Sequence, residues 1–211
     1  MAPRVLTARD LEDTPDGGEV ALPHGALVTD LAREEAERRG ISIRFADASE
    51  QRRAAPSTGA PARVVAIGAD HGGYELKQFL AGHLRDWGYT VLDQGADSVQ
   101  AVDYPDFAEA VANAVVRGDA ALGVVIDSAG IGSAIAANKV PGARAALCYD
   151  RATARNSREH NDANVLSLGA RLLPAEMARE ILAVWLETPF AGGRHLRRVD
   201  KIRAIEQRHS K

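Results

Sequence analysis

The sequence holds one cysteine, Cys148, in 211 residues. That excludes an intrachain disulfide and a cysteine cluster for a metal, and it fits a reducing compartment. No apolar run approaches the ~20 residues needed to cross a bilayer. The start, "MAPRVLTARDLEDTPDGGE", lacks the apolar core of a secretory signal. A cytoplasmic chain without a membrane partner is expected. Neither sign of charge dominates: the formal net charge is -3, so nothing electrostatic calls for a nucleic acid. A small-molecule partner is expected instead. What is present is ordinary for a soluble globular chain, 45% hydrophobic and 26% charged. The length allows one sizeable core and leaves roughly 60 to 70 residues for something smaller.

Composition breaks at "DASEQRRAAPSTGAPAR", residues 47–63, where Pro, Ala, Ser, Thr, Gly and charge replace any periodic pattern. This reads as a linker between a small N-terminal segment, 1–46, and a main domain, 64–211. In the first segment, "GEVALPHGALVTDLAREEAERRGISIRF" predicts a strand, a turn at "PHG", a helix from near Thr29 to Gly40 and a second strand. Leu31, Ala32 and Ala36 give that helix a thin apolar stripe. A unit this small is marginal alone, so it is expected to dock on something.

Beyond the linker, apolar runs such as "RVVAIGAD", "LGVVID" and "NVLSLGA" alternate with amphipathic helical runs. Strands without in-out alternation are buried on both faces. This predicts an α/β fold, flavodoxin-like and doubly wound, with about five parallel strands and helices on both faces. A closing helix from about Gly193 to Gln207 carries Leu196, Val199, Ile202 and Ile205 at helical spacing, a face to bury.

Ligands of such sheets bind beyond the carboxyl ends of the strands, where the winding reverses. Those ends carry "GADHGGY", with Asp70 and His71, and "DSAGIGS", with Asp127 and Ser128. A lone His after a strand is commonly a capping residue; beside Asp70 and two glycines, His71 is a candidate for chemistry. Gly130 and Gly132 let backbone approach a ligand, and the amides opening the next helix favour an anion. The "GIG" triplet fits neither the dinucleotide fingerprint nor the Walker loop, and Ser128 is not in a nucleophile elbow. In "GGRHLRRVD", Arg194 and Arg198 stand four apart on one helical face. They are either a solvated basic face or a phosphate grip, to which Arg171 after the last strand adds a third guanidinium.

Together "GADHGGYELK", "DYPDFA", "GIGSAIAANKVPGARAALC", "SREHNDANVLSLGAR" and "GGRHLRRV" resemble the ribose-5-phosphate isomerase type B and galactose-6-phosphate isomerase family, in order from about Val64 to Gln207. The resemblance implies an aldose-ketose isomerase of a phosphorylated sugar, ribose 5-phosphate first among them, working through a cis-enediolate without metal or organic cofactor. It implies dimers or larger homo-oligomers with sites shared between subunits. Carried onto this chain, His71 assists ring opening or touches the phosphate, Asp70 meets sugar hydroxyls, and Tyr104 lines the sugar site. His160 and Asn161 come from the neighbouring subunit, for ring opening and for the enediolate oxygens. Arg171, Arg194 and Arg198 clamp the phosphate, and the amides of Ser128 to Gly132 form an anion hole.

One position departs from that pattern. Some family members have a catalytic thiol where Asp127 stands, with threonine at the place of Ala129; others have a glutamate base at the place of Ser133. Asp127 with Ser133 resembles one of the two subunit types of galactose-6-phosphate isomerase, which pairs with a thiol-bearing partner. A free thiol titrates at about 8.5 and a free Asp at about 3.9, so Asp127 as base needs burial to help it. Asp127 as the base in place of the thiol is the first expectation. A non-catalytic binding or partner subunit, or an isomerase of a hexose 6-phosphate, is the alternative. Cys148 lies after a different strand and does not replace the thiol. The segment "ALVTDLAREEAERRGISIRF" is similar to short stretches of enzymes from bacterial microcompartments, which leaves two readings open, a plain accessory extension or encapsulation with a shell partner.

Overall fold

The computed structural model describes residues 5–12, 14–22, 27–45 and 64–209. The linker expected at residues 47–63 and the "PHG" turn lie outside the described residues. The chain divides into two compact units, Met1–Ala60 and Pro61–Lys211.

In the first unit, β1 (Val5–Leu6) pairs in parallel with β3 (Leu27–Val28), and β2 (Glu19–Leu22) pairs in parallel with β4 (Ser42–Phe45). Helix α1 (Asp30–Arg38) starts where the sequence places it: the Thr29 hydroxyl accepts from the Ala32 amide at 3.3 Å, an N-cap. Leu6, Leu11, Leu22, Ala32, Ala36 and Ile41 form a small core. Leu31, expected on the buried stripe, is 66% exposed. The inward face is the Ala32–Ala36 line, one helical turn apart, and Leu31 lies about 100° off it.

The second unit is a parallel sheet of β5 (Val64–Ala69), β6 (Thr90–Asp93), β7 (Leu122–Asp127), β8 (Ala145–Leu147) and β9 (Val165–Gly169), in the order β6-β5-β7-β9-β8. The helices are α2 (Tyr74–Asp86), α3 (Tyr104–Arg117), α4 (Ile131–Ala137), α5 (Arg151–Asn161), α6 (Ala175–Glu187) and α7 (Gly193–His209). The expected α/β architecture is present. One face of the sheet packs Leu80 and Leu84 of α2, Ala154 of α5 and Ile181, Leu182 and Trp185 of α6. The other packs Ala108, Val111 and Val115 of α3 and Ala137 of α4.

Strand order differs from the simple flavodoxin succession in its last two places, β9 lying inside and β8 at the edge. Burial explains the exchange. All five residues of β9 are buried, whereas the three of β8 are half-buried. The polar residue of β9, Ser167, is satisfied by donating to the Gly130 carbonyl at 2.6 Å. Edge strands β6 and β8 are accordingly not buried on both faces, contrary to expectation for the whole set.

Winding leaves β5 and β7 in opposite directions, so the crevice between their carboxyl ends is the switch point. An ion pair with one buried end ties α2 to the end of β6. Lys77 of α2, wholly inaccessible, places Nζ 2.6 and 2.8 Å from the two carboxylate oxygens of Asp93, which closes β6. The Gly95 amide donates to the same carboxylate at 2.9 Å.

Candidate active site

Asp70 follows β5 and is 7% exposed; its Oδ1 accepts from the Gly73 amide at 2.9 Å, pinning the turn into α2. His71 stands at the surface beside it, its Nδ1 3.1 Å from the Val102 carbonyl oxygen and 3.2 Å from the Val102 amide nitrogen, so the ring is tied to that backbone in either tautomer. Val102 was not foreseen, because a backbone contact 31 residues away leaves no side-chain signal.

At the end of β7 the Asp127 carboxylate is 5% exposed and fully engaged. Oδ1 accepts from Ala129 at 2.8 Å and from the Gly130 amide, and Oδ2 accepts from Ser133 at 2.8 Å. Two of the amides expected to form an anion hole, those of Ala129 and Gly130, are thus held by the chain's own carboxylate, together with that of Ser133. Gly130 makes this turn possible with a left-handed φ of 78°. Gly132 is required for a different reason: a Cβ there would lie 2.6 Å from two atoms of the Tyr104 ring. Tyr104 therefore rests directly on the loop.

The loops after β5, β7 and β9 are knitted together. The Ser128 hydroxyl lies against Gly72, where a Cβ would stand 2.7 Å from Oγ. The Ala170 and Arg171 amides donate to the Asp127 and Ser128 carbonyls at 2.8 and 3.0 Å. Tyr149, just past β8, donates its hydroxyl to the Ala129 carbonyl at 2.9 Å. It escaped sequence reasoning although its position at a strand's carboxyl end was a usable signal. Asp70, His71, Tyr104, Asp127, Ser128, Gly130, Gly132, Ser133 and Arg171 thus share the carboxyl edge of the sheet.

The other candidates lie at the opposite edge. Helix α5 starts after β8 and returns to the start of β9, so His160 and Asn161 at its end sit by the amino ends of the strands. There the Asn164 amide donates to Arg144 at 3.1 Å and the Asn164 carbonyl accepts from Gly123 at 2.9 Å. Helix α6 runs down in the same way. The segment after it is tied to α5 by the Ala191 amide donating to Glu159 at 3.0 Å, and α7 then begins with Arg194 and His195. The His160 and His195 rings stack with centroids 4.1 Å apart and planes 6° apart. The expected three-arginine clamp is therefore divided within one chain: Arg171 is on the carboxyl side, Arg194 and Arg198 on the amino side. A five-residue strand of about 16 Å lies between, a distance set by parallel topology.

Cys148 is 1% exposed, and burial pushes its thiol above the ordinary range, which suits a packed side chain rather than a proton carrier. Among the described residues no three His, Cys, Asp or Glu side chains converge as a metal set, and no helix is long and apolar enough to cross a membrane.

The pattern of the Ribose/Galactose Isomerase family matches residues 65–202. The chain belongs to the ribose/galactose isomerase family. Ribose-5-phosphate isomerase B of Escherichia coli is 44% identical over 146 residues, 69% of this chain and 98% of that protein. The protein of the same name from Mycobacterium tuberculosis is 42% identical over 147 residues, covering 69% of this chain and 91% of the relative. Among solved structures, Clostridium thermocellum ribose-5-phosphate isomerase B aligns with a TM-score of 0.69 at 50% identity over 70% of this chain and 99% of that one. The Trypanosoma brucei type B ribose 5-phosphate isomerase aligns with a TM-score of 0.67 at 45% identity, over 69% and 99%. This ribose/galactose isomerase thus carries a whole relative's length in its second unit, and the family match begins after the first.

Proposed function

We propose that the chain isomerises ribose 5-phosphate to ribulose 5-phosphate through a cis-enediolate, at a site completed by a second copy. The observation that carries this reading is the division of the family's site residues between the two edges of one sheet. One chain holds the sugar-facing set, Asp70, His71, Tyr104, Asp127 and Arg171. A second copy brings His160, Asn161, Arg194 and Arg198. The face of α7 supports such an assembly. Val199 is buried, but Leu196, Ile202 and Ile205, expected to pack, stay 45%, 45% and 51% exposed in the single chain. Apolar side chains at helical spacing left in water are suited to a protein partner.

In this reading His160 and His71 open the sugar ring and the arginines hold the phosphate. A base takes the proton from C2, electrons move onto O1, and the cis-enediolate forms. O1 gains a proton and O2 loses one, and the base returns its proton to C1, leaving the ketose. Asp127 takes the part of the base in this reading. For a lone pair to become available, sugar oxygens must replace its carboxylate on the amides of Ala129 and Gly130. The same three amide bonds favour a second reading, in which Asp127 only anchors the loop and the chain binds sugar phosphates as a partner subunit. The first unit, with its own core and with Leu31 and Phe45 exposed, is in this reading a docking segment or a plain accessory extension.

Incubation with ribose 5-phosphate in deuterated water, followed by proton NMR, tests the reading. Ribulose 5-phosphate carrying solvent deuterium at C1 is the expected product. No exchange in the wild type together with exchange gained in Asp127→Cys would establish the partner-subunit reading. No exchange and no sugar-phosphate binding would overturn both.

A further inference from the structure

The histidine that sequence reasoning passed over, His195, sits in a setting unlike that of a surface helix residue. It is 6% exposed at the first turn of α7, and the Arg194 Nε donates to its Nε2 at 3.4 Å. A neutral ring accepting at Nε2 carries its proton on Nδ1, and Nδ1 is buried without a partner among the described residues. The His160 ring is stacked on it 4.1 Å away and parallel within 6°. His160 is fixed from its own helix as well. The Asn156 amide nitrogen lies 2.8 Å from its Nδ1, so Nδ1 accepts and the proton of the neutral ring is on Nε2.

We infer that His195 is a positioning residue for His160: a buried, uncharged ring whose stacked face sets the plane of His160, so that the Asn156 contact at Nδ1 leaves the His160 proton on Nε2. This rests on the reading of His160 as the ring-opening residue. The physical reason is that two imidazolium rings at this distance repel, so one member must stay uncharged. The surroundings assign that part to His195. Burial, then the charges of His160 and of Arg194 and Arg198 on α7, pull its pKa below the usual histidine value, while Glu159 on α5 opposes them. His160 keeps the more open position, with its Nε2 3.9 Å from Glu159 Oε1. A ring held on one face by stacking and at one nitrogen by Asn156 has lost rotation about its χ2, so Nε2–H meets a ligand in one direction.

The test is nitrogen-15 NMR of the histidine side chains in the full chain, with kinetics on ribose 5-phosphate alongside. In the wild type His160 should show the Nε2-protonated tautomer and His195 should stay neutral to lower pH than His160. His195→Asn, which removes the stacked ring, should move the His160 nitrogen shifts toward the average of two tautomers. It should also lower kcat tenfold or more with KM within about threefold, and shift the acid limb of the pH profile. His195→Phe, flat and never charged, should keep the His160 tautomer and recover most of kcat. Unchanged His160 shifts and titration in His195→Asn would overturn the inference, and so would a His195 that titrates before His160. The spectrum does not depend on turnover. A wild type without isomerase activity would therefore remove the catalytic reading of His160 while the positioning is still decided by the shifts.

Discussion

Asp127 spends both carboxylate oxygens on three backbone amides of the loop that follows it, those of Ala129, Gly130 and Ser133. A thiol in this place could not span those donors, so the carboxylate holds the loop in a way a thiol would not. Asp127→Asn keeps the volume but turns an amide NH₂ toward N–H groups that need an acceptor. Leaving one buried donor unpaired costs about 1–3 kcal/mol. Urea unfolding should report a loss in that range at unchanged slope, even if the substituted protein still binds sugar phosphate. A stability equal to wild type would show that the amide hydrogen bonds contribute nothing net.

Among the elements, α2 has the least expected feature, a lysine in the middle of its buried face. Lys77 reaches Asp93 at the end of β6 with two contacts under 3 Å, and Asp93 also receives the Gly95 amide. The pair ties the helix to the loop that returns to Val102 and so to His71. Lys77→Met preserves the packing volume and removes the charge. Breaking a buried pair costs about 3–5 kcal/mol when the abandoned charge is fully enclosed. Asp93 keeps a side-chain exposure of 32%, so water compensates in part and about 2 kcal/mol is the expected loss by urea unfolding. Amide hydrogen exchange should rise in residues 94–103 first. Uniform exchange across the sheet would argue against a role for the pair in holding that loop.

At the scale of the whole molecule, the separation of the site residues becomes a statement about assembly. If a site takes His71 from one copy and His160 from the other, neither His71→Ala nor His160→Ala should turn over sugar phosphate alone. Mixed, unfolded together and refolded, they should recover about a quarter of wild-type activity, because half the dimers are mixed and each holds one intact site. Absence of recovery, with mixed dimers present by native mass spectrometry, would mean that each copy works by itself.

The sequence by itself determined the α/β class, the helix start near Thr29 and the motifs that carry the family. These depend on local periodicity, turn chemistry and residue type, which are written along the chain. Tertiary structure decided what local pattern does not encode. Strand order was set by the competition of β8 and β9 for the interior, which compares burial between segments far apart. The occupation of the Asp127 oxygens depends on how the loop folds back on its own side chain. The stacking of His160 on His195 depends on two helices ending side by side, 35 residues apart in the chain. The division of the arginines follows from parallel strands, since every crossover helix carries the chain back across the sheet before the next motif begins.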